Sequence, residues 1–154
     1  MVAQRAGGGF TLTELMVAVA IAALLTSLAA PSFKQFISNQ RMKGVSSDLL
    51  TALTRARSEA IKRNTEVTVA PATAGSWQNG WSIPNPSDAG HKLDDHAAIA
   101  NAIVTGPASV VYLPTGRVKG ASAPAFDISF VGADPHRCVR VDLSGRPYQK
   151  TTAC

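Results

Sequence analysis

The stretch GGGFTLTELMVAVAIAALL, residues 7–25, decides the fold. Three glycines lead into an apolar run, and one carboxylate, Glu14, stands near its start. From Leu15 to Phe33 no residue is charged. Wound as a helix at about 1.5 Å per residue, that segment is about 28 Å long, close to the hydrocarbon thickness of a bilayer. The flank before it, Met1 to Gly9, has Arg5 as its only charge. A positive charge ahead of an apolar run keeps that end in the cytoplasm.

Three fates fit such a segment. A secretory signal peptide is cut after small residues, and Ser27-Leu28-Ala29 offers that pattern. An ordinary anchor keeps everything. A protease that cuts after Gly9 leaves Phe10 as the new N-terminus and retains the whole apolar helix. Glu14 discriminates among them. A charge at the bilayer centre costs roughly 2.5–3.5 kcal/mol on insertion scales, and a discarded signal peptide gains nothing from it. With Phe10 as N-terminus, a new α-amine appears four residues from Glu14. The amine of one subunit then meets the Glu14 of a neighbour, and the pairing offsets the desolvation cost only when subunits pack side by side.

The rest of the 154-residue chain is more polar, rich in Ala, Ser, Thr and Gly, and suits one domain of about 110 residues. The net charge of +5 and pI of about 9.6 suit an anionic partner, nucleic acid or lipid head groups, and equally a solvated surface. Cys138 and Cys154, behind a membrane-targeting segment, read as one disulfide in an oxidising compartment, against free thiols as the alternative. The bridge closes a loop of about 15 residues, contributes roughly 3 kcal/mol and pins the C-terminus.

Pro31 removes a backbone donor within a continuing helical pattern and is the expected bend. Beyond it, Phe33, Phe36, Ile37, Val45, Leu49, Leu53, Ala56 and Ala60 trace an apolar face, with Arg55, Arg57, Glu59, Lys62 and Arg63 opposite. That face needs a cover, most simply a sheet. Asn64 closes the helix, and Glu66–Ala70 begins an extended phase. Asn79-Gly80, between Trp77 and Trp81, is a hairpin signal, and Pro84 to Gly90 reads as loop. Val110–Leu113, Phe126–Val131 and Cys138–Leu143 read as strands. Ser144-Gly145 is a turn, with Arg146–Thr151 pairing back.

The search for chemistry yields no catalytic site and no cofactor. His91, Asp94, Asp95 and His96 fall in an expected loop without metal-ligand spacing, so a solvated polar loop is the reading and no metal is expected. His136, after Gly-Ala-Asp-Pro, reads as surface. There is no Gly-x-Ser-x-Gly and no triad, so an enzyme is not expected. Trp77 and Trp81 read as packing residues rather than base-stacking ones. Arg137, Arg140, Arg146 and Lys150 gather in the region the disulfide would close, and Arg117 and Lys119 form another pair. Such residues neutralise phosphates without reading sequence, or serve a solvated strand or subunit interface.

Gly9-Phe10-Thr11-Leu12-Thr13-Glu14 with its apolar helix resembles the class III leader of type IV pilins and pseudopilins. The resemblance implies that prepilin peptidase cuts between Gly9 and Phe10 and methylates Phe10. It makes Glu14 the assembly glutamate and Pro31 the helix-bending proline. Thr13 departs from the family's usual Ile. The implied fold is α+β and pilin-like, a long N-terminal helix on an antiparallel β-sheet head. The expected divisions are a cleaved leader (1–9), a transmembrane and filament-core helix (10–33), an amphipathic helix (34–64) and a β-rich head (65–154).

Trp77…Gly80-Trp81, Pro114-Thr115-Gly116-Arg117, Val139-Arg140-Val141 with Gly145-Arg146, and the helix stretch Leu53–Asn64 are similar to the GspH/FimT family of minor pilins and pseudopilins. That likeness implies a minor pilin of type IV pilus biogenesis. Its partners would be other minor and major pilins or pseudopilins, prepilin peptidase and the inner-membrane assembly platform. It would start as a single-pass inner-membrane protein with its head in the periplasm and then enter a filament. One alternative is a pseudopilin of type II secretion. Another is DNA uptake, because some FimT-type members bind DNA through a C-terminal Gly-Arg-x-Arg. The matching positions here are Gly145-Arg146-Pro147-Tyr148, with Tyr148 in place of the second Arg and Lys150 two residues on.

Overall fold

The computed structural model describes residues 10–131 and 136–154, with the side chains of all of these except 28–31 and 89. The leader with Gly9, the side chain of Pro31 and residues 132–135 lie outside the described residues. The chain divides into a unit ending at Ile37 and a compact unit Ser38–Cys154.

One helix, α1 (Leu12–Arg63), crosses both units. Its start is set by Thr11, whose Oγ1 accepts the N–H of Glu14 at 3.2 Å, an N-cap bond to the third helical residue. Its end is set by Asn64, which takes the left-handed conformation at φ 51°. The Asn64 N–H donates to the Ile61 carbonyl and the Thr65 N–H to the Ala60 carbonyl, the paired bonds of a Schellman cap. Lys62 and Arg63 in the last turn complement the helix dipole. The Arg63 guanidinium also bonds Glu59 and holds its carboxyl below the usual range. The expected helix end at Asn64 is therefore observed.

Eight strands follow: β1 (Val67–Thr73), β2 (Ser76–Asn85), β3 (Asp88–His96), β4 (Ala102–Thr105), β5 (Val110–Tyr112), β6 (Ala125–Phe130), β7 (Arg137–Val141) and β8 (Pro147–Lys150). They form two four-stranded sheets, β3-β2-β1-β5 and β4-β6-β7-β8, antiparallel throughout. Met42, Val45, Leu49, Ala52, Leu53, Ala56 and Ala60 of α1 are buried in one core with inward residues of both sheets. Ala52, Ala56 and Ala60 recur every four residues, and small side chains there let helix and sheets approach closely. Trp77 of β2 meets Phe126 of β6 edge to face, 4.7 Å between centroids, which ties one sheet to the other. Its indole N–H donates to the Pro107 carbonyl at 2.7 Å.

Two expected turns are corrected. Asn79-Gly80 is not a hairpin tip but lies inside β2, and the turn falls earlier, at Ala74-Gly75. Gly80 has φ 91° because β3 passes close by: a Cβ there would lie 2.1 Å from the His96 carbonyl oxygen. Residues 84–90 are not a loop. β2 runs through Pro84 to Asn85, and β3 begins at Asp88. Pro84 has no N–H for the ladder, and the β2–β3 register shifts on both sides of it.

Candidate functional site

The first region to weigh is the stem. Phe10 and Leu12 are 83% and 76% exposed, and Leu15, Met16, Val17, Val19, Ile21, Leu24 and Leu25 are exposed too. No described helix is by itself long and apolar enough to cross a membrane, whereas the segments Leu12–Ser27 and Ser32–Arg63 meet that test together. Glu14 is exposed and makes no ion pair among the described residues. It borders a shallow hollow of about 490 Å³ lined by Thr11, Thr13, Val17, Ala18 and Ile21.

Glu14 sits at the third helical position behind Thr11. That is the T-x-x-E spacing of a capping box, a signal the sequence reading passed over. The first-turn N–H groups carry partial positive charge, so a carboxylate there is better tolerated than one mid-helix. Its oxygens stay open to a cation from another chain. Thr13, the departure from the family pattern, shares a hydrogen bond with Thr11, 3.1 Å between hydroxyl oxygens.

The second region is the C-terminal hairpin. Cys138 and Cys154 are joined, 16 residues apart, with Cα atoms 5.0 Å apart. Asp127 reinforces the tie: one oxygen accepts the Cys154 N–H at 3.1 Å, and the other lies 2.7 Å from His136 Nδ1. The register sorts the four cations. Arg140 pairs with Tyr148, and Lys150 with Cys138. Val139 and Val141 are buried, so the alternating Arg140 stands on the opposite, outer face of this sheet with Tyr148 and Lys150. The Lys150 ammonium is 5.9 Å from the Tyr148 ring centroid. Gln149 points the other way, accepting the Ser46 hydroxyl of α1 at 3.1 Å.

Arg146 is not part of that group. Its guanidinium lies 3.6 Å from Asp142, whose carboxyl is held below its ordinary range by the Ser144 hydroxyl and the Arg146 amide. Arg137 stands one residue outside the disulfide loop and out of step with Arg140 along β7.

Gly145 has a structural role. At φ 86° it crosses the turn at Gly116 so closely that a Cβ would lie 1.8 Å from the Gly116 carbonyl oxygen. Arg57 of α1 donates to that carbonyl at 3.1 Å and to the Ser144 carbonyl at 3.2 Å, clamping both turns to the helix. Nearby, the hydroxyl of Tyr112 is buried without a partner among the described residues, and burial pushes its pKa up.

The polar cluster His91, Asp94, Asp95 and His96 lies on β3, not in a loop, and its members do not converge. His91 pairs with Asp88, Asp94 with Arg55, Asp95 with Lys92, and His96 with Asp48. Among the described residues no group of three His, Cys, Asp or Glu side chains is placed to hold a metal. Trp77 and Trp81 are fully buried, and Trp81 stacks on His96 at 4.0 Å, so both are packing residues.

A family described as Type II transport protein GspH matches residues 46–145, and the Prokaryotic N-terminal methylation motif matches residues 5–30. No curated protein matches the chain. Two crystal forms of the type IV minor pilin FimU of Pseudomonas aeruginosa share its fold. The P65 form has a TM-score of 0.61 at 18% identity, covering 70% of this chain and 91% of that one. The P21 form has a TM-score of 0.62 at 20% identity, covering 75% and 92%. The long helix followed by antiparallel sheets is the pilin fold.

Proposed function

The chain belongs to the GspH family, and from that premise we propose that it is a minor pilin of type IV pilus biogenesis. Prepilin peptidase removes residues 1–9 between Gly9 and Phe10, and Phe10 is methylated. The stem holds the subunit in the inner membrane, with the head in the periplasm, until the assembly platform passes it into the pilus or its priming complex. Major and other minor pilins are its partners. The observation that carries this reading is the stem itself. It is apolar, exposed and capped by Thr11, with Glu14 in its first turn and in no ion pair among the described residues. Stems bundled side by side bury that surface, and each Glu14 takes the amine of a neighbouring Phe10. The head supplies specific contacts.

Glu14→Ala tests the mechanism. Membrane insertion should be unchanged, while incorporation into filaments should fall by on the order of tenfold or more, as expected when one partner of a desolvated pair is removed. Normal incorporation of the variant contradicts the mechanism.

The description of the matching family favours a second reading, a pseudopilin of type II secretion. Deletion discriminates: loss of pili with intact secretion supports the first reading, and the converse supports the second. DNA uptake has its own test, gel-shift of the Ser38–Cys154 head. Since Arg146 is held by Asp142, changing Arg140 and Lys150 to Ala should weaken any DNA binding more than Arg146→Ala does.

A further inference from the structure

We propose that a hollow on the head, between α1 and the segment 97–100, is the docking site for an acidic, apolar-tipped segment of a different pilin subunit. The apolar side chain seats over Gly44, and the carboxylate meets Arg41. This rests on the reading above that other pilins are the partners of the chain.

The hollow measures about 430 Å³ and lies wholly within the unit Ser38–Cys154. Gly44, Val45, Ile99 and Phe130 give it an apolar floor. From α1 it takes Arg41, Gly44, Val45 and Asp48, the i, i+3, i+4 and i+7 positions of one helix face. Arg41 and Asp48 therefore stand at its two ends, about 10 Å apart along the helix axis. The opposite wall is held by the fold. The Ile99 N–H donates to the Gln78 carbonyl at 2.8 Å, His96 stacks on Trp81, and His96 Nε2 lies 3.3 Å from Asp48. The hollow is thus already built in the chain by itself.

Gly44 is the one glycine inside α1, and a glycine weakens a helix interior relative to alanine. Packing within the described residues does not call for it. A Cβ at Gly44 would meet no atom within 4 Å, whereas at Gly80, Gly116 and Gly145 it would strike a neighbour. The missing side chain leaves the centre of the hollow open to close approach from outside.

Charge names the occupant. Several cations of the head have no carboxylate beside them, and what distinguishes Arg41 is that it lines the hollow. Asp48, at the other end, is already engaged by His96. The charge left for an occupant to meet is that of Arg41, and a carboxylate meets a guanidinium best. Another copy of the chain is poorly equipped to supply it. Each described carboxylate of the head, from Asp48 to Asp142, already has a basic or histidine partner. The acid therefore comes from a different sequence, which suits a chain of net charge +5.

The test uses the full chain in cells that assemble the filament. A photo-crosslinking residue, Ala97→p-benzoylphenylalanine, is placed at the exposed rim, and the captured peptide is identified by mass. A peptide of another pilin carrying an apolar residue beside Asp or Glu is the expected product. A peptide of a second copy of the chain, a lipid adduct, or no adduct in assembled filaments overturns the proposal. Gly44→Leu fills the hollow and should lower incorporation by about tenfold or more, without lowering the urea midpoint of the purified chain. Gly44→Ala should raise that midpoint, because a helix interior gains from the replacement. Arg41→Glu guards against a folding effect at Gly44, since Arg41 is exposed. It should lower incorporation by about tenfold or more through like-charge repulsion, and Arg41→Lys should keep most of it. Normal incorporation of Arg41→Glu or Gly44→Leu overturns the docking site. Wild-type chain absent from filaments overturns the minor-pilin reading and the docking with it, whereas loss in Glu14→Ala with normal groove variants removes the docking alone.

Discussion

Leu24 and Leu53 lie on the same helix, yet Leu24 is 68% exposed and Leu53 fully buried. Their chemistry is identical, and what differs is cover. Two sheets close over Leu53, with Trp77, Tyr112 and Phe126 among the largest buried side chains. Among the described residues none closes over Leu24. Burying a leucine side chain fully stabilises by about 1.5–3 kcal/mol relative to leaving it exposed. The head gains that stabilisation from its own residues, and the stem gains it only from lipid or from other chains. One helix thus serves two kinds of folding, intramolecular beyond Ser38 and intermolecular before it.

The largest test of this contrast is a matched pair. Leu53→Ala should lower the unfolding free energy of the oxidised head by about 2–5 kcal/mol in urea titration. Leu24→Ala should change it by less than about 0.5 kcal/mol. Equal effects would mean that stem and head unfold as one body. Next in size is the tail: replacing Cys138 and Cys154 by Ser should cost about 3 kcal/mol, since the loop they close is short.

Gly145→Ala should cost about 1–3 kcal/mol for the left-handed conformation alone, with further loss from displacing the Gly116 turn. A neutral result would remove the clamp of Arg57 on the two turns. The smallest effect concerns Tyr112. A phenol whose pKa is raised in the fold favours the protonated state there. Its contribution is fully present below about pH 10, the ordinary phenol value, and is lost as pH rises through the folded value. Tyr112→Phe also removes a buried hydroxyl without a partner, so it should change neutral-pH stability by less than about 1 kcal/mol and flatten the alkaline decline. An unchanged alkaline limb would assign that decline elsewhere.

Legibility in the sequence follows the same division. Where period and punctuation agree, the reading holds. The four-three-four spacing from Leu49 to Ala60 marks the buried face, and Asn64 marks the helix end. The strands at Val110, Phe126 and Cys138, and the return after Ser144-Gly145, lie close to where alternation puts them. The reading fails where tertiary approach sets the residue type. Gly80 looks like a turn glycine because both a turn and a close neighbouring carbonyl demand a missing side chain. β3 hides because it is an edge strand rich in charge, and polar side chains on an edge guard it against pairing with other chains. β4, four residues long, is too short for alternation to show. At the candidate sites, the cysteine pair was legible from residue type and position. The sorting of Arg137, Arg140, Arg146 and Lys150 was not, because it depends on strand register and on Asp142.

The measurement that bears most directly on the stem is the intact mass and N-terminal sequence of the chain recovered from assembled filaments. A chain beginning at methylated Phe10, with Glu14 and every apolar stem residue retained, is the predicted result. A chain that starts after Ala29, or that still carries Met1 in working filaments, would contradict it.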